Sequence, residues 1–458
     1  VVLSTVVPGL VLLGIVIFVH ELGHFLAAKW RGVTVIKFSL GMGPEMVGFT
    51  AGGTRYCLSW IPLGGFVQMA GDSPNDDGSM PVGGQEQFLT HHWLGRVAIA
   101  VAGPFANLVT AYVVMVVTCL HGLTQPDFTN VLGRLEEKSQ AYAAGLRPGD
   151  RIVGLSGRPV VTWHGLEEAA TARDHARPMR IDVQRGAEPI ALEVPAAASK
   201  AVLADLDHES SSADVGSVVT GMPAYRAGVQ EGDHITSVDG HPVLRFEEIG
   251  QSLRGKVDQP VRLGLVRKGR PLELTVTPIS PGENGDHSLA IIGIEAPRGL
   301  TWVQHFTPVE AIRAGWNGTL GLVASVYGGM WLTVSRPIYY REYVGGPIFI
   351  GQMARDSARK GLDNYLYLLA MINIAIMAFN LLPVPLLDGG HILLAVLEAV
   401  RRRALSARTY INFQKVGLVL VGTLFVFILS KDIVRPFQRM RALDRAPRET
   451  TTVAPTQR

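Results

Sequence analysis

Apolar residues run without a charge from Val1 to Val19, and the run resumes around one polar cluster to reach Ala28. A helix crossing about 30 Å of hydrocarbon needs about 20 such residues. Val97–Leu120 and Tyr365–Leu387 carry no charge at all, and Ile411–Ser430 is clean from Val416 onward, with Lys415 reaching back to the interface. The pattern predicts four transmembrane helices. A fifth uncharged stretch, Ala314–Val334, is diluted by glycines at 315, 318, 321, 328 and 329 and by Asn317, Thr319 and Ser325. It reads as a helix on or near the membrane surface.

Between the second and third spans the chain repeats itself. Residues 141–160, AYAAGLRPGDRIVGLSGRPV, align without gaps on residues 224–243, AYRAGVQEGDHITSVDGHPV, with ten identities in twenty. Each copy predicts a short Ala-rich helix capped by Gly145 or Gly228, a Gly-Asp turn, then a strand ending in a glycine turn before Pro159 or Pro242. The pattern resembles the PDZ domain of bacterial membrane and periplasmic proteases. The resemblance implies two tandem β-rich α+β domains, at 129–195 and 214–278, whose grooves take extended peptide termini. A spacer that merely fills volume above the membrane is the simpler alternative.

Composition agrees with a bilayer. The 458 residues are 47% hydrophobic and 18% charged, with mean hydropathy +0.23. A net charge of +3 gives no case for nucleic acid as a partner. Cys57 and Cys119 stand far apart and read as buried small hydrophobes. The first apolar run has no small-residue exit, so a cleaved signal peptide is not expected. Lys29, Arg31 and Lys37, then Arg96, then Arg401, Arg402, Arg403 and Arg408 mark cytoplasmic loops. That orientation puts the N-terminus and the repeat-bearing loop outside the cytoplasm. Lys431, Arg435, Arg439 and Arg441 count against it.

The polar cluster in the first span is HELGH, His20 to His24. On a helix, His20 and His24 lie one turn apart on one face, where two neutral imidazoles can reach one zinc ion. Glu21 is placed to take a proton from a water that the ion activates. A charge near the bilayer centre costs about 2.5–3.5 kcal/mol on insertion scales, so idle helix histidines beside a glutamate are the weaker account. A catalytic zinc takes a third protein ligand. The only acidic residue adjoining the third span is Asp388, in NLLPVPLLDGG (380–390), whose two prolines break helical hydrogen bonding as the wall of a cavity would. Spans one and three, running the same way, bring HELGH and Asp388 to one depth.

HELGH, the N-x-x-P-x-P-x-L-D-G set at Asn380, Pro383, Pro385, Leu387, Asp388 and Gly389, and the repeat between them resemble the site-two protease family of intramembrane zinc metalloproteases. FSLGMG (38–43) and IPLGGFVQM (61–69) resemble that family's membrane re-entrant β-hairpin. AGPFAN (102–107) resembles its second-span motif, and Gly345-Gly346-Pro347 a short motif ahead of the third span. The resemblance implies a polytopic α-helical membrane protein of the bacterial inner membrane, with the PDZ pair on the periplasmic side. It implies zinc ligands His20, His24 and Asp388, the general base Glu21, and Asn380 as a contact to substrate backbone or oxyanion; for Asn380 an amide that satisfies backbone broken by Pro383 is the alternative. Implied substrates are single-span membrane proteins of the anti-sigma factor type, and leftover signal peptides. Implied boundaries are 1–120, 300–364 as a membrane-surface region, 365–437, and a disordered tail at 438–458. A PDZ scaffold without protease activity and a zinc transporter or sensor are the rival functions.

Overall fold

The computed structural model describes residues 2–75, 79–133, 135–208, 213–219, 221–279, 290–297, 299–335 and 345–445. Two compact units result: residues up to Gly122 together with His305–Pro436, and the intervening Leu123–Gln304. In chain order the first unit opens with α1 (Val2–Trp30), β1 (Val35–Ala51), β2 (Thr54–Met69) and α2 (Trp93–His121).

β1 and β2 do not form a plain hairpin. Residues Lys37 to Leu40 pair on one side with Arg55–Leu58 and on the other with Gly65–Gln68, while Val47–Ala51 pair with Thr54–Leu58. Each long strand therefore bends back on itself, and the segment around Gly64–Val67 is left as an edge of the sheet.

The second unit holds β3 (Leu123–Asp127), α3 (Gln140–Ala143), β4 (Arg151–Leu155), β5 (Arg158–Pro159), α4 (Trp163–Thr171), β6 (Met179–Arg185), β7 (Glu188–Val194) and α5 (Ala196–Ala204). It continues with β8 (Ser217–Val218), α6 (Pro223–Ala227), β9 (His234–Val238), β10 (His241–Pro242), α7 (Phe246–Leu253), β11 (Val261–Arg267), β12 (Arg270–Val276), β13 (Ile294–Glu295) and β14 (Leu300–Gln304). The sequence repeat becomes two sheets of one order, β5-β4-β6-β7 and β10-β9-β11-β12. Each has its own core, one around Ile152, Leu155 and Ile181, the other around Ile235, Val238 and Leu263. The aspartate of each Gly-Asp turn is a structural anion. Asp150 and Asp233 are 1% and 0% exposed, and each is gripped by an arginine of the third strand, Arg185 or Arg267. The same arginines donate to the carbonyls of Gly145 and Gly228.

The first unit resumes with α8 (Pro308–Ser335), α9 (Pro347–Lys360), α10 (Leu362–Asn380), α11 (Asp388–Arg401) and α12 (Ala407–Arg445). Among the described residues four helices are long and apolar enough to span a membrane: Val6–Trp30, Trp93–His121, Leu362–Asn380 and Ala407–Asp432. The third ends at Asn380, not at Leu387, because Pro383 and Pro385 have no N–H to continue it. The last helix runs to Arg445, past the expected start of the tail at 438, and 446–458 fall outside the described residues.

The stretch expected on the membrane surface packs lengthwise on α2. Gly315 meets Val116, Gly318 meets Met115, and Leu322 shares a core with Ala111, Ile374 and Met377. The opposite face is also apolar, with Val309, Ile312, Trp316, Leu320, Trp331 and Val334 exposed. Its hydroxyls are spent internally: Thr319, Ser325 and Thr333 each donate 2.8 Å to the carbonyl four residues back. The exposed polar groups of α8 gather in its first turns, at Glu310, Arg313 and Asn317, and beyond them the exposed residues are mainly apolar or glycine.

Candidate active site

α1 carries His20 and His24 one turn apart, both buried. Two glycines let α1 and α2 approach closely enough to enclose them. A side chain at Gly23 would run into the Ala102 carbonyl, and one at Gly103 into the His24 ring. His24 Nδ1 lies 2.8 Å from the Ile99 carbonyl, an acceptor, so that nitrogen carries the proton and Nε2 is left as a lone pair. His20 Nδ1 lies 3.2 Å from the side-chain amide of Asn107, which is fully buried on α2.

The two Nε2 atoms stand 3.2 Å apart. Asp388, the first residue of α11, completes a triangle, with Oδ2 3.1 Å from His20 Nε2 and Oδ1 3.2 Å from His24 Nε2. The chain reaches this position through 381–387, where Leu386 has φ +73°. Gly389 and Gly390 press against the Leu381, Leu382 and Val384 carbonyls, closer than any Cβ allows. A bulky residue in left-handed backbone is strained, and here the turn that aims Asp388 holds the strain.

These donors fit a metal ion. Zinc–nitrogen bonds of about 2.0–2.1 Å at tetrahedral angles set ligand atoms about 3.3–3.4 Å apart, close to the 3.1–3.2 Å contacts here, in which the carboxylate meets the two imidazoles through different oxygens. Asp388 Oδ2 is buried, and apart from the His20 ring it has no hydrogen-bond partner among the described residues, so the triangle of two imidazoles and a carboxylate converges on one point. Among the described residues it is the one group of three or more His, Cys, Asp or Glu able to hold a metal.

Glu21 borders the triangle. Its carboxylate accepts from the backbone amide of Val67, and its Cγ lies against Gly65, so the base position is tied to the sheet edge. Asn380, the last residue of α10, places Nδ2 3.2 Å from His20 Nε2. All five residues expected from the sequence line one cavity of about 620 Å³. Two neighbours escaped that reading. His391, one turn beyond Asp388, lines the cavity and shares a 3.2 Å contact with the Tyr410 hydroxyl; its spacing from Asp388 on a helix was the available signal. Asn107 was visible only as the end of AGPFAN. Cys57 and Cys119 are free and buried, as expected.

Apolar helices enclosing a ligand triangle, with a carboxylate beside it, define a membrane-embedded metallohydrolase. The chain belongs to peptidase family M50, whose sequence profile matches residues 8–424. It is 28% identical over 457 residues to the regulator of sigma-E protease RseP of Escherichia coli strain K12, covering 93% of this chain and 97% of that one. Protease RseP of Yersinia pestis is 29% identical over 447 residues, again covering 93% and 97%. The regulator of sigma-E protease RseP of Salmonella typhimurium is 27% identical over 458 residues with the same coverage. The chain is an intramembrane metalloprotease of the kind that serves regulated intramembrane proteolysis.

Proposed function

We propose that His20, His24 and Asp388 hold a catalytic zinc ion, that Glu21 is the general base, and that the substrate is a transmembrane segment pulled into extended form. The observation that carries this is the triangle of donor atoms at 3.1–3.2 Å beside a carboxylate anchored to the sheet edge. Bound there, zinc supplies a Lewis acid that polarises a carbonyl and makes water acidic near neutral pH.

The chain's own groups do the rest. Glu21 takes the proton of the attacking water and returns it to the departing amine. Asn380 Nδ2 points at the same spot as His20 Nε2, within reach of the oxygen on which charge develops. A helical substrate hides its carbonyls in its own hydrogen bonds and must unwind first. Gly64–Val67 offer an edge on which the unwound strand pairs, with the Val67 amide already turned toward Glu21.

The same reading makes β1–β2 a re-entrant element. It makes 129–195 and 214–278 two PDZ domains on the periplasmic side of a bacterial inner membrane, admitting substrates by size or by their exposed ends. The family resemblance favours single-span anti-sigma factors as substrates, in keeping with the sigma-E regulation in the names of two relatives, with leftover signal peptides as a further group. Cleavage of a single-span substrate in vesicles, by wild type and by Glu21→Ala, tests the proposal. The variant is expected to fold and keep its zinc but lose at least about 100-fold in rate; equal processing by the two overturns it and leaves the scaffold and transporter readings.

A further inference from the structure

The two histidines of the triangle are held at Nδ1 by partners of different chemistry. His24 faces the Ile99 carbonyl at 2.8 Å, which can only accept, so its Nε2 is always free of a proton when the ring is neutral. His20 faces a carboxamide, Asn107 at 3.2 Å, which can accept or donate according to which end it turns. Asn107 is 0% exposed, one turn beyond Gly103 on α2, and its Oδ1 has no partner among the described residues. A buried amide oxygen left unmatched is destabilising unless a donor reaches it.

We infer that Asn107 is a positioning residue that selects the metal-binding tautomer of His20. With Nδ2 toward the ring, as in the structure, Nδ1 accepts, and a neutral ring then carries its proton on Nε2, which faces Asp388 Oδ2 at 3.1 Å and the Asn380 amide at 3.2 Å. A metal at Nε2 requires the opposite tautomer. The amide then turns end for end, Oδ1 accepts from Nδ1–H, and the orphan oxygen gains its partner. Asp388 is released by the same proton shift, since Nε2 no longer donates toward it. His24 is thus set by backbone in advance, whereas His20 is set by a side chain that serves both states. Partners of this kind typically alter metal affinity by about 10–100-fold.

The inference rests on the proposed metal centre, and zinc affinity separates the two. Zinc would be measured on purified full-length protein by competition with a coloured chelator, alongside melting of the metal-free chain. Asn107→Leu keeps the branched shape and loses the acceptor; about 10–100-fold weaker zinc binding with metal-free melting little changed is the expected result. Asn107→Asp restores an acceptor and should bind zinc at least as tightly as wild type. A role in packing predicts the reverse order, because leucine fills the site and aspartate buries a charge. Leucine binding zinc as tightly as wild type overturns the inference. If the leucine chain does not fold, the aspartate variant decides: undiminished affinity supports the inference and a tenfold or larger loss overturns it. Wild type that binds no zinc overturns the metal centre itself.

Discussion

At the scale of single residues, the site depends on groups that supply donor atoms and on groups whose smallness makes room. Asp388→Ala removes one corner of the triangle, and bound zinc per chain, read by elemental analysis, is expected to fall well below that of the wild type. Unchanged content would assign the third ligand elsewhere. Gly103→Ala attacks the other kind of residue. Its methyl group would overlap the His24 ring, so either the ring turns off the metal or α1 and α2 move apart. Overpacking of this sort costs about 1–3 kcal/mol, and we expect a lower melting temperature together with weakened zinc binding. HELGH and Asp388 were legible because ionisable groups in an apolar run demand an explanation. Gly103 and Asn107 were not, because the demand on them is made by another helix.

Among the elements, α9 has its N-terminus capped by another helix. Asp432 of α12 accepts from the amides of Gly346, Ile348 and Phe349, each at 3.1 Å, where a helix leaves its N–H groups unmatched. Asp432→Ala should destabilise this contact by about 1–2 kcal/mol and speed hydrogen exchange of residues 346–351. No pattern within 345–360 announces such a cap, since its acceptor, Asp432, lies more than 80 residues away. In α8, hydropathy counts hydroxyls and glycines singly, yet the hydroxyls bond to their own helix and the glycines admit α2. A helix on the membrane surface predicts that Ser325→Cys, on the exposed side, is labelled readily by a water-soluble maleimide in vesicles, whereas resistance would put that face in lipid. The third span was foreseen to within seven residues, its true end dictated by prolines that hydropathy scores as apolar.

Across the whole molecule, hydropathy and repetition are properties of long stretches, and the described residues divide near Gly122 and His305 into a unit with the apolar helices and a unit with the repeats. They did not reveal the pairs that hold each repeat together. One of these makes the inserted unit sensitive to acid. The Lys256 ammonium, with the Arg262 amide, holds the Asp239 carboxyl below the usual carboxylate range. A carboxylate depressed on folding adds stability that is complete above about pH 4 and fades as pH falls through the lowered value. Hydrogen-exchange protection of β9 and β11 should therefore drop on that side, and Asp239→Asn should flatten the drop while weakening the strands at neutral pH.

The two Asp–Arg pairs of the inserted unit, each with its aspartate buried, make the copies self-contained. Each repeat keeps its own anion, its own arginine and its own apolar interior, and among the described residues no buried apolar residue belongs to both cores. A mutation that loosens one copy therefore leaves the interior of the other intact, so either can change at its surface while the clasp inside its neighbour stands.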